Sequence, residues 1–196
     1  MSNTFVYQLG SSLYINLTNR CSNSCTFCVR NNHDGMEDYE LWLEREPSPK
    51  EVIALIPDPK AYDEIVFCGF GEPTERLDAM TEITAYIKSK GGRVRVNTNG
   101  QASLIAGVDV ASRFAGVDVV SISLNASNAK EYQSICRCKY GEAGFDAMLS
   151  FAKSVKEYVP EVVMSIVDVL PAEEQEACKR LCASIGIPLR IRRMIE

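Results

Sequence analysis

The sequence has no long apolar run, no basic leader, no low-complexity tract and no Pro/Gly/Ser-rich linker. Each absence excludes something. No stretch approaches the ~18–20 consecutive apolar residues of a membrane-spanning helix, so no membrane association is expected. The opening residues, MSNTFVYQLGSSLYINLT, lack a charged segment ahead of an apolar one, which argues against an export signal and for a cytoplasmic protein. Without a linker, residues 1–196 read as a single domain, long enough to bury a core. An excess of positive charge is missing too: the net charge of −5 speaks against a general nucleic-acid binder, although a local basic groove stays open.

Cysteine, by contrast, is plentiful. Eight in a chain without an export signal read as reduced thiols and metal ligands rather than disulfides. The Asn16-Leu17-Thr18 sequon is then read as unused.

Apolar segments of strand length alternate with longer amphipathic stretches. Strands are predicted over 13–17, 64–68, 93–97, 117–124, 162–169 and 189–192, several of them rich in Val and Ile. One helix opens at Pro49 with Ser48 as its cap, and a second, 77–90, is closed by Gly91-Gly92. Further helices are predicted over 104–114, 145–158 and 172–185. This repetition marks βαβ units on a parallel sheet. Six such units are too few for a closed eight-fold barrel, which needs ~250 residues. An α/β fold is therefore expected, a partial (β/α)6 TIM-like barrel with parallel strands, laterally open. A flat doubly wound sheet is the alternative. In both, chemistry gathers at the carboxyl ends of the strands.

Directly after the first of these strands comes Cys21-Ser-Asn-Ser-Cys25-Thr-Phe-Cys28, spaced C-x₃-C-x₂-C. Three thiolates in eight residues form one face of a soft-metal site, and iron–sulfide clusters favour such ligands. A structural zinc site wants four protein ligands. The single histidine, His33, is the one candidate for a Cys₃His set. Three ligands on a four-iron cluster would leave one iron open, as in catalytic rather than structural metal sites.

Later strand ends carry further turns. Cys68-Gly69-Phe70-Gly71-Glu72-Pro73 ends the second strand, where glycine permits close backbone approach and the carboxylate would suit an ammonium. By itself it also reads as a tight strand-to-helix turn. Asn97-Thr98-Asn99-Gly100 ends the third strand. Ser121-Ile-Ser123-Leu-Asn125 ends the fourth, with Ser123 and Asn125 on one face by strand alternation. Helix capping is the plainer role for these Asn and Ser residues.

The cysteine motif, with the aromatic Phe27 before its last cysteine, resembles the signature of the radical S-adenosylmethionine (SAM) superfamily. The glycine–glutamate turn resembles that family's Gly-Gly-Glu-Pro turn, with Phe70 in place of its first glycine. Asn97–Gly100 resembles its Thr-Asn-Gly turn. The resemblance implies that Cys21, Cys25 and Cys28 bind one [4Fe–4S] cluster, that residues 69–73 receive the methionine amino group of SAM, and that Asn97, Asn99, Ser123 and Asn125 contact the cofactor. It implies reductive cleavage of SAM to a 5′-deoxyadenosyl radical that takes hydrogen from a substrate. It also implies an external reductant such as flavodoxin or ferredoxin. The substrate would be a small molecule or nucleotide. The alternatives are an activating enzyme that makes a glycyl radical on a partner protein, and an iron–sulfur electron carrier or scaffold. The stretches SLYINLTNRC, FCVRNN, VFCGFGEPT and NTNGQA resemble the TatD-family-associated radical SAM proteins, a group whose name implies association with a TatD-type nuclease.

Outside the motif lie Cys68, Cys136, Cys138, Cys178 and Cys182. The last four could supply an auxiliary cluster, though buried apolar thiols are the commoner use of such residues. Segment 30–45 reads either as a cover over a substrate opening or as a solvated insertion anchored by Trp42. Arg190, Arg192 and Arg193 read either as binders of phosphate or carboxylate or as a solvated basic stretch.

Overall fold

The computed structural model describes residues 3–194. β1 (Val6–Leu9) and β2 (Ser12–Ile15) form an antiparallel hairpin. A two-stranded hairpin, β3 (Gly35–Met36) and β4 (Tyr39–Glu40), stands apart from the main sheet. Five further strands follow, β5 (Ile65–Phe67), β6 (Val94–Thr98), β7 (Val119–Ser123), β8 (Glu161–Val167) and β9 (Leu189–Arg192). The seven-stranded sheet has the order β1-β2-β5-β6-β7-β8-β9, and every pair beyond the first hairpin is parallel. From β2 onward the order follows the chain without the reversal that defines a doubly wound sheet, so that alternative is set aside. The edges, β1 and β9, do not pair with each other among the described residues, and the sheet is not a closed barrel.

Six helices cross between strands. α1 (Pro49–Ala54) opens as its sequence dictates: the Glu51 N–H donates to Ser48 Oγ at 3.3 Å, and the Ser48 N–H donates back to the Glu51 carboxylate at 2.9 Å. α2 (Leu77–Ser89) matches its predicted span closely. The helix predicted over 104–114 is shorter and broken. α3 (Ala102–Ala106) stops where Gly107 takes a left-handed backbone at φ 72°, and a 3₁₀ turn follows at Ala111–Phe114. α4 (Ala129–Cys136) was not foreseen, because only Tyr132 and Cys136 of its eight residues are buried and that leaves too sparse an apolar stripe. α5 (Ala143–Val155) and α6 (Ala172–Ser184) complete the set.

Strand alternation sorts the side chains onto two faces. Ile65 and Phe67, Val94 and Val96, Val120 and Ile122, and Met164 and Ile166 enter the main apolar core with Met80, Ile83, Met148 and Phe151 from the helices. The residues between them, Val66, Arg95, Asn97, Ser121, Ser123, Ser165 and Arg190, occupy the second face, where polar side chains dominate. At the β1 end of that face, Tyr7, Leu41 and Phe70 form a smaller apolar cluster with Tyr14 and Trp42. Segment 30–45 is thereby anchored: Leu41 and Leu43 are buried, and Trp42 meets Phe70 edge-on at 5.1 Å between centroids. Asn16 is buried and donates its Nδ2 to the Leu41 carbonyl at 2.8 Å, which withdraws the sequon from solvent.

Two substitutions test this packing. Phe114 is fully buried and edge-on to Phe151 at 5.0 Å, so Phe114→Ala is expected to cost about 3–5 kcal/mol in urea unfolding. Ser48→Ala, which removes only a cap, is expected to cost about 1 kcal/mol. Equal effects from the two changes would contradict the packing.

Candidate functional site

The loop leaving β2 carries Cys21, Cys25 and Cys28, all free and partly accessible, with Phe27 partly buried among them. Its backbone is held at several points. Ser24 and Thr26 donate their N–H groups to the carbonyls of Cys136 and Ile135 at the end of α4, each at 2.9 Å. Lys139 N–H donates to the Ser22 carbonyl at 2.9 Å. Arg30 donates to the carbonyls of Asn23 at 3.0 Å, Asn19 at 3.4 Å and Phe70 at 3.5 Å, so one guanidinium joins the loop to the turn after β5.

The three thiols share a loop but do not converge on a point. Among the described residues no group of three or more His, Cys, Asp or Glu is arranged around a single ion. The Cys₃His arrangement is therefore absent, and His33 is exposed. The Cys25 thiol shares a hydrogen bond with that of Cys136, and this bond together with burial pushes its pKa far up. Burial pushes Cys21 up to about 12, reinforced by Glu72 and opposed by the Asn23 N–H and Arg30. The donor chemistry fits an iron–sulfur cluster, where each thiolate takes its own iron, better than it fits one shared ion. Loading it means removing protons from these thiols, against the upward shift of Cys21 and Cys25.

Glu72 links this loop to two strand ends. Its buried carboxylate accepts four hydrogen bonds. Oε1 takes Thr74 N–H at 3.1 Å, Thr74 Oγ1 at 2.8 Å and Thr98 Oγ1 at 2.7 Å. Oε2 takes Asn99 N–H at 2.7 Å. Burial raises its pKa, and the bonds from Asn99, Thr98 and Thr74 oppose the rise. The Glu72 N–H donates to the Arg20 carbonyl at 2.8 Å, and Asn99 Nδ2 reaches Ser22 Oγ at 2.7 Å, so both turns clasp the cysteine loop. The two glycines are required by this contact. A Cβ on Gly71 would stand 2.1 Å from the Thr18 carbonyl, and one on Gly69 would stand 2.1 Å from Asn16 Oδ1. The close approach they permit is to the segment that leaves β2, at Asn16, Thr18 and Arg20. Pro73 begins a 3₁₀ turn capped by Glu72. Phe70, which stands where the related motif has glycine, is buried against Trp42.

Asn97 lies on the second face of β6, and its side chain hydrogen-bonds the Cys68 thiol. Burial raises the Cys68 pKa, while Asn97, Arg192 and Arg95 lower it. Ser123 ends β7 on the same face, beside Ser165. Asn125 lies past the strand at φ 57°, so alternation no longer sets its direction. It is buried, its Nδ2 donates to Cys136 Sγ at 3.8 Å, and its Oδ1 has no partner among the described residues. An orphaned acceptor, one thiol removed from Cys25, fits a ligand that brings a hydroxyl or amine donor.

The remaining cysteines do not assemble. Cys178 and Cys182 sit together in the main core, where burial pushes them up to about 12 and about 11. Cys138 donates to Gln101 Oε1 at 3.5 Å. Cys136 ends α4 against the cysteine loop, whereas Cys178 and Cys182 lie on α6. A polar network behind the cysteine loop went unread in the sequence. Gln101 Nε2 donates to Asn23 Oδ1 at 3.0 Å and to Tyr132 Oη at 2.9 Å, and Asn23 Nδ2 donates to Tyr132 Oη at 3.0 Å. Its one local signal was the glutamine directly following Asn97–Gly100.

A family model described as the Radical SAM superfamily matches residues 15–184. The chain is 34% identical over 134 residues to "Probable GTP 3',8-cyclase" of Methanothermobacter marburgensis, covering 67% of this chain and 40% of that protein. It is 28% identical over 179 residues to "Fe-coproporphyrin III synthase" of Methanosarcina barkeri, covering 85% of this chain and 42% of that one. The match thus spans about two-fifths of the length of these curated relatives. Streptococcus suis SuiB bound to S-adenosylmethionine has the same fold, with a TM-score of 0.70 at 17% identity, over 95% of this chain and 41% of its own. The family match runs from the last residue of β2 to the last of α6 and takes in the cysteine loop and each strand-end turn. The chain belongs to the radical SAM superfamily, whose enzymes use a [4Fe–4S] cluster and S-adenosylmethionine and need a reductant.

Proposed function

We propose that this chain is the core domain of a radical SAM enzyme acting on a small molecule or nucleotide. Cys21, Cys25 and Cys28 would hold its one [4Fe–4S] cluster. The carrying observation is the convergence of the cysteine loop, the Glu72 turn and the Asn99 turn through direct hydrogen bonds at the carboxyl end of the parallel sheet. When bound there, the cluster and SAM supply a 5′-deoxyadenosyl radical that takes hydrogen from the substrate. The chain's own residues position and enclose. Glu72 fixes the spacing of the two turns, and Arg30 pins the loop. The open Oδ1 of Asn125 and the accessible Ser123 are the acceptors left for cofactor hydroxyls, with Asn97 and Asn99 beside them. Residues 69–73 offer backbone carbonyls to the methionine amino group.

A partial (β/α)6 barrel, laterally open, is the form of sheet we infer. Arg192 on β9 acts electrostatically on Cys68 after β5, and Arg190 acts on Tyr14 in β2. In a flat sheet those strands lie four and five steps apart, roughly 19 and 24 Å at ~4.8 Å per step. Exposed charges fade beyond a Debye length of ~8–10 Å, so the pairing supports a sheet curled toward closure. One apolar core running from Phe5 to Ile187 supports a single domain. Eight free thiols suit a reducing, cytoplasmic compartment and a donor such as flavodoxin or ferredoxin. No helix of the described residues is long and apolar enough to cross a membrane. The four short stretches that resemble the TatD-associated group support assignment to it, and with it an association with a TatD-type nuclease.

Anaerobic reconstitution with iron and sulfide tests this reading. The wild-type protein is expected to bind about four irons and, with reductant and SAM, to release 5′-deoxyadenosine. Cys21→Ala, Cys25→Ala and Cys28→Ala are each expected to abolish both. Cys178→Ser is expected to leave the iron count unchanged, and a fall there would revive a second cluster. Glu72→Gln sets a donor against four donors and is expected to cost about 1–3 kcal/mol in urea unfolding. A Gln variant as stable as the parent would show that the carboxylate does not tie the turns.

A further inference from the structure

We propose that Arg190 and Arg192 form an anion-binding wall of the second face, and that the substrate taken there carries a phosphate or carboxylate group. The inference rests on the reading that this face holds the radical chemistry, and it narrows the substrate class.

Register gives the placement. Arg190 lies beside Ser165, which lies beside Ser123, and Arg192 lies beside Val167. The intervening Leu189 and Ile191 pair with the core residues Met164 and Ile166, and Leu189 packs on that core. Alternation therefore turns both arginines to the face that carries Cys68, Asn97 and Ser123.

What sets them apart from the other arginines without a partner is their place together on the polar face of the sheet. Among the described residues neither side chain has a hydrogen bond or an ion pair. Elsewhere Arg20 and Arg76 share Glu46, Arg93 meets Glu161, Arg95 meets Glu64 and Arg113 meets Asp78. Glu64, whose charge reaches this face through Tyr14, is already bound to Arg95 at 2.6 Å. Arg192 is open to water, yet enough protein surrounds it to penalise its charge, and Arg190 adds to the penalty. Two guanidiniums without an acidic partner stand on this face, within electrostatic reach of Cys68 and Tyr14 across it. The planar fork of arginine matches phosphate and carboxylate alike.

The test uses the reconstituted holoenzyme with SAM bound, titrated by calorimetry with inorganic pyrophosphate and, separately, with citrate. One of the two is expected to bind. Pyrophosphate identifies a phosphate-bearing substrate, and citrate a carboxylate-bearing one. R190Q/R192Q is expected to weaken that binding by at least about tenfold, as for loss of charge-assisted bonds, while R193Q stays within about twofold of wild type. SAM affinity, measured in parallel, is expected to fall much less than anion affinity. The proposal is overturned if neither anion binds, if the double variant binds as well as wild type, or if SAM affinity falls as far as anion affinity, which would assign the arginines to the cofactor. Iron content and 5′-deoxyadenosine release by the wild-type protein separate the two levels. If both are present and no anion binds, only the anion wall fails. If both are absent, the radical reading fails first.

Discussion

A carboxylate almost without access to water governs the carboxyl end of this sheet. A buried, ionised Glu72 would be prohibitively costly without compensation. Four donors from Thr74, Thr98 and Asn99 supply that compensation, and they come from two different strand ends. Satisfying the charge therefore fixes the distance between the turn after β5 and the turn after β6. The cysteine loop is clasped by the same two turns, through the Arg20 carbonyl and Ser22. A second carboxylate repeats the arrangement nearer the surface. Burial raises the pKa of Glu46, but Thr18, Arg20 and Arg76 outweigh that and hold it below the ordinary range. Thr18 and Arg20 lead into the cysteine loop, and Arg76 leaves the Glu72 turn, so two acidic groups tie the same pieces of chain.

The sheet divides labour between its faces because strand alternation allows little else. One face is spent on packing helices. The second is freed for Arg95, Asn97, Ser123, Ser165 and the arginines of β9, side chains a helix-covered face would exclude. Such a face needs closing at its ends. At the β1 end, segment 30–45 does this with Leu41, Trp42 and the small hairpin β3–β4, packed on Tyr7 and Phe70. Phe70 is therefore not a defect in a glycine-rich turn. Its ring is the seat for Trp42, while Gly69 and Gly71 on either side keep the clearance that the turn needs against Asn16 and Thr18.

The legible parts of the fold were those encoded by adjacent residues. All six parallel strands lie within or beside their predicted spans, because buried strands of Val and Ile are hard to mistake. The hairpin strand β1, α4 and the break at Gly107 were not legible, since each depends on a partner elsewhere or on one backbone angle. The same division holds in the site. The cysteine spacing and the Gly69–Pro73 turn are contiguous and were read. The Asn23–Gln101–Tyr132 network joins residues 78 and 109 positions apart, and no local pattern announces it. The Cys25–Cys136 contact was hidden for the same reason, with α4 itself unforeseen. Asn125 was read for its identity and placed on the face of Ser123 by alternation, but the strand ends at Ser123 and a left-handed backbone at φ 57° sets its direction instead.

That unforeseen helix bears on how the cysteine loop is held. A loop of cysteines without metal has little to hold it, because few of its residues are large and apolar. Here the holding is done by backbone, through Ser24 and Thr26 bonded to the last carbonyls of α4, and by Arg30 bonded to three carbonyls. None of these bonds uses a thiol. The side-chain bonds that do, Cys25 with Cys136 and Cys21 with the Asn23 N–H, are weak ones to sulfur. Iron bound as proposed would replace only these bonds and leave the backbone bonds untouched. The loop is thus held by its backbone where it defines positions and only weakly through its thiols, a division of roles that suits the cluster site proposed for it.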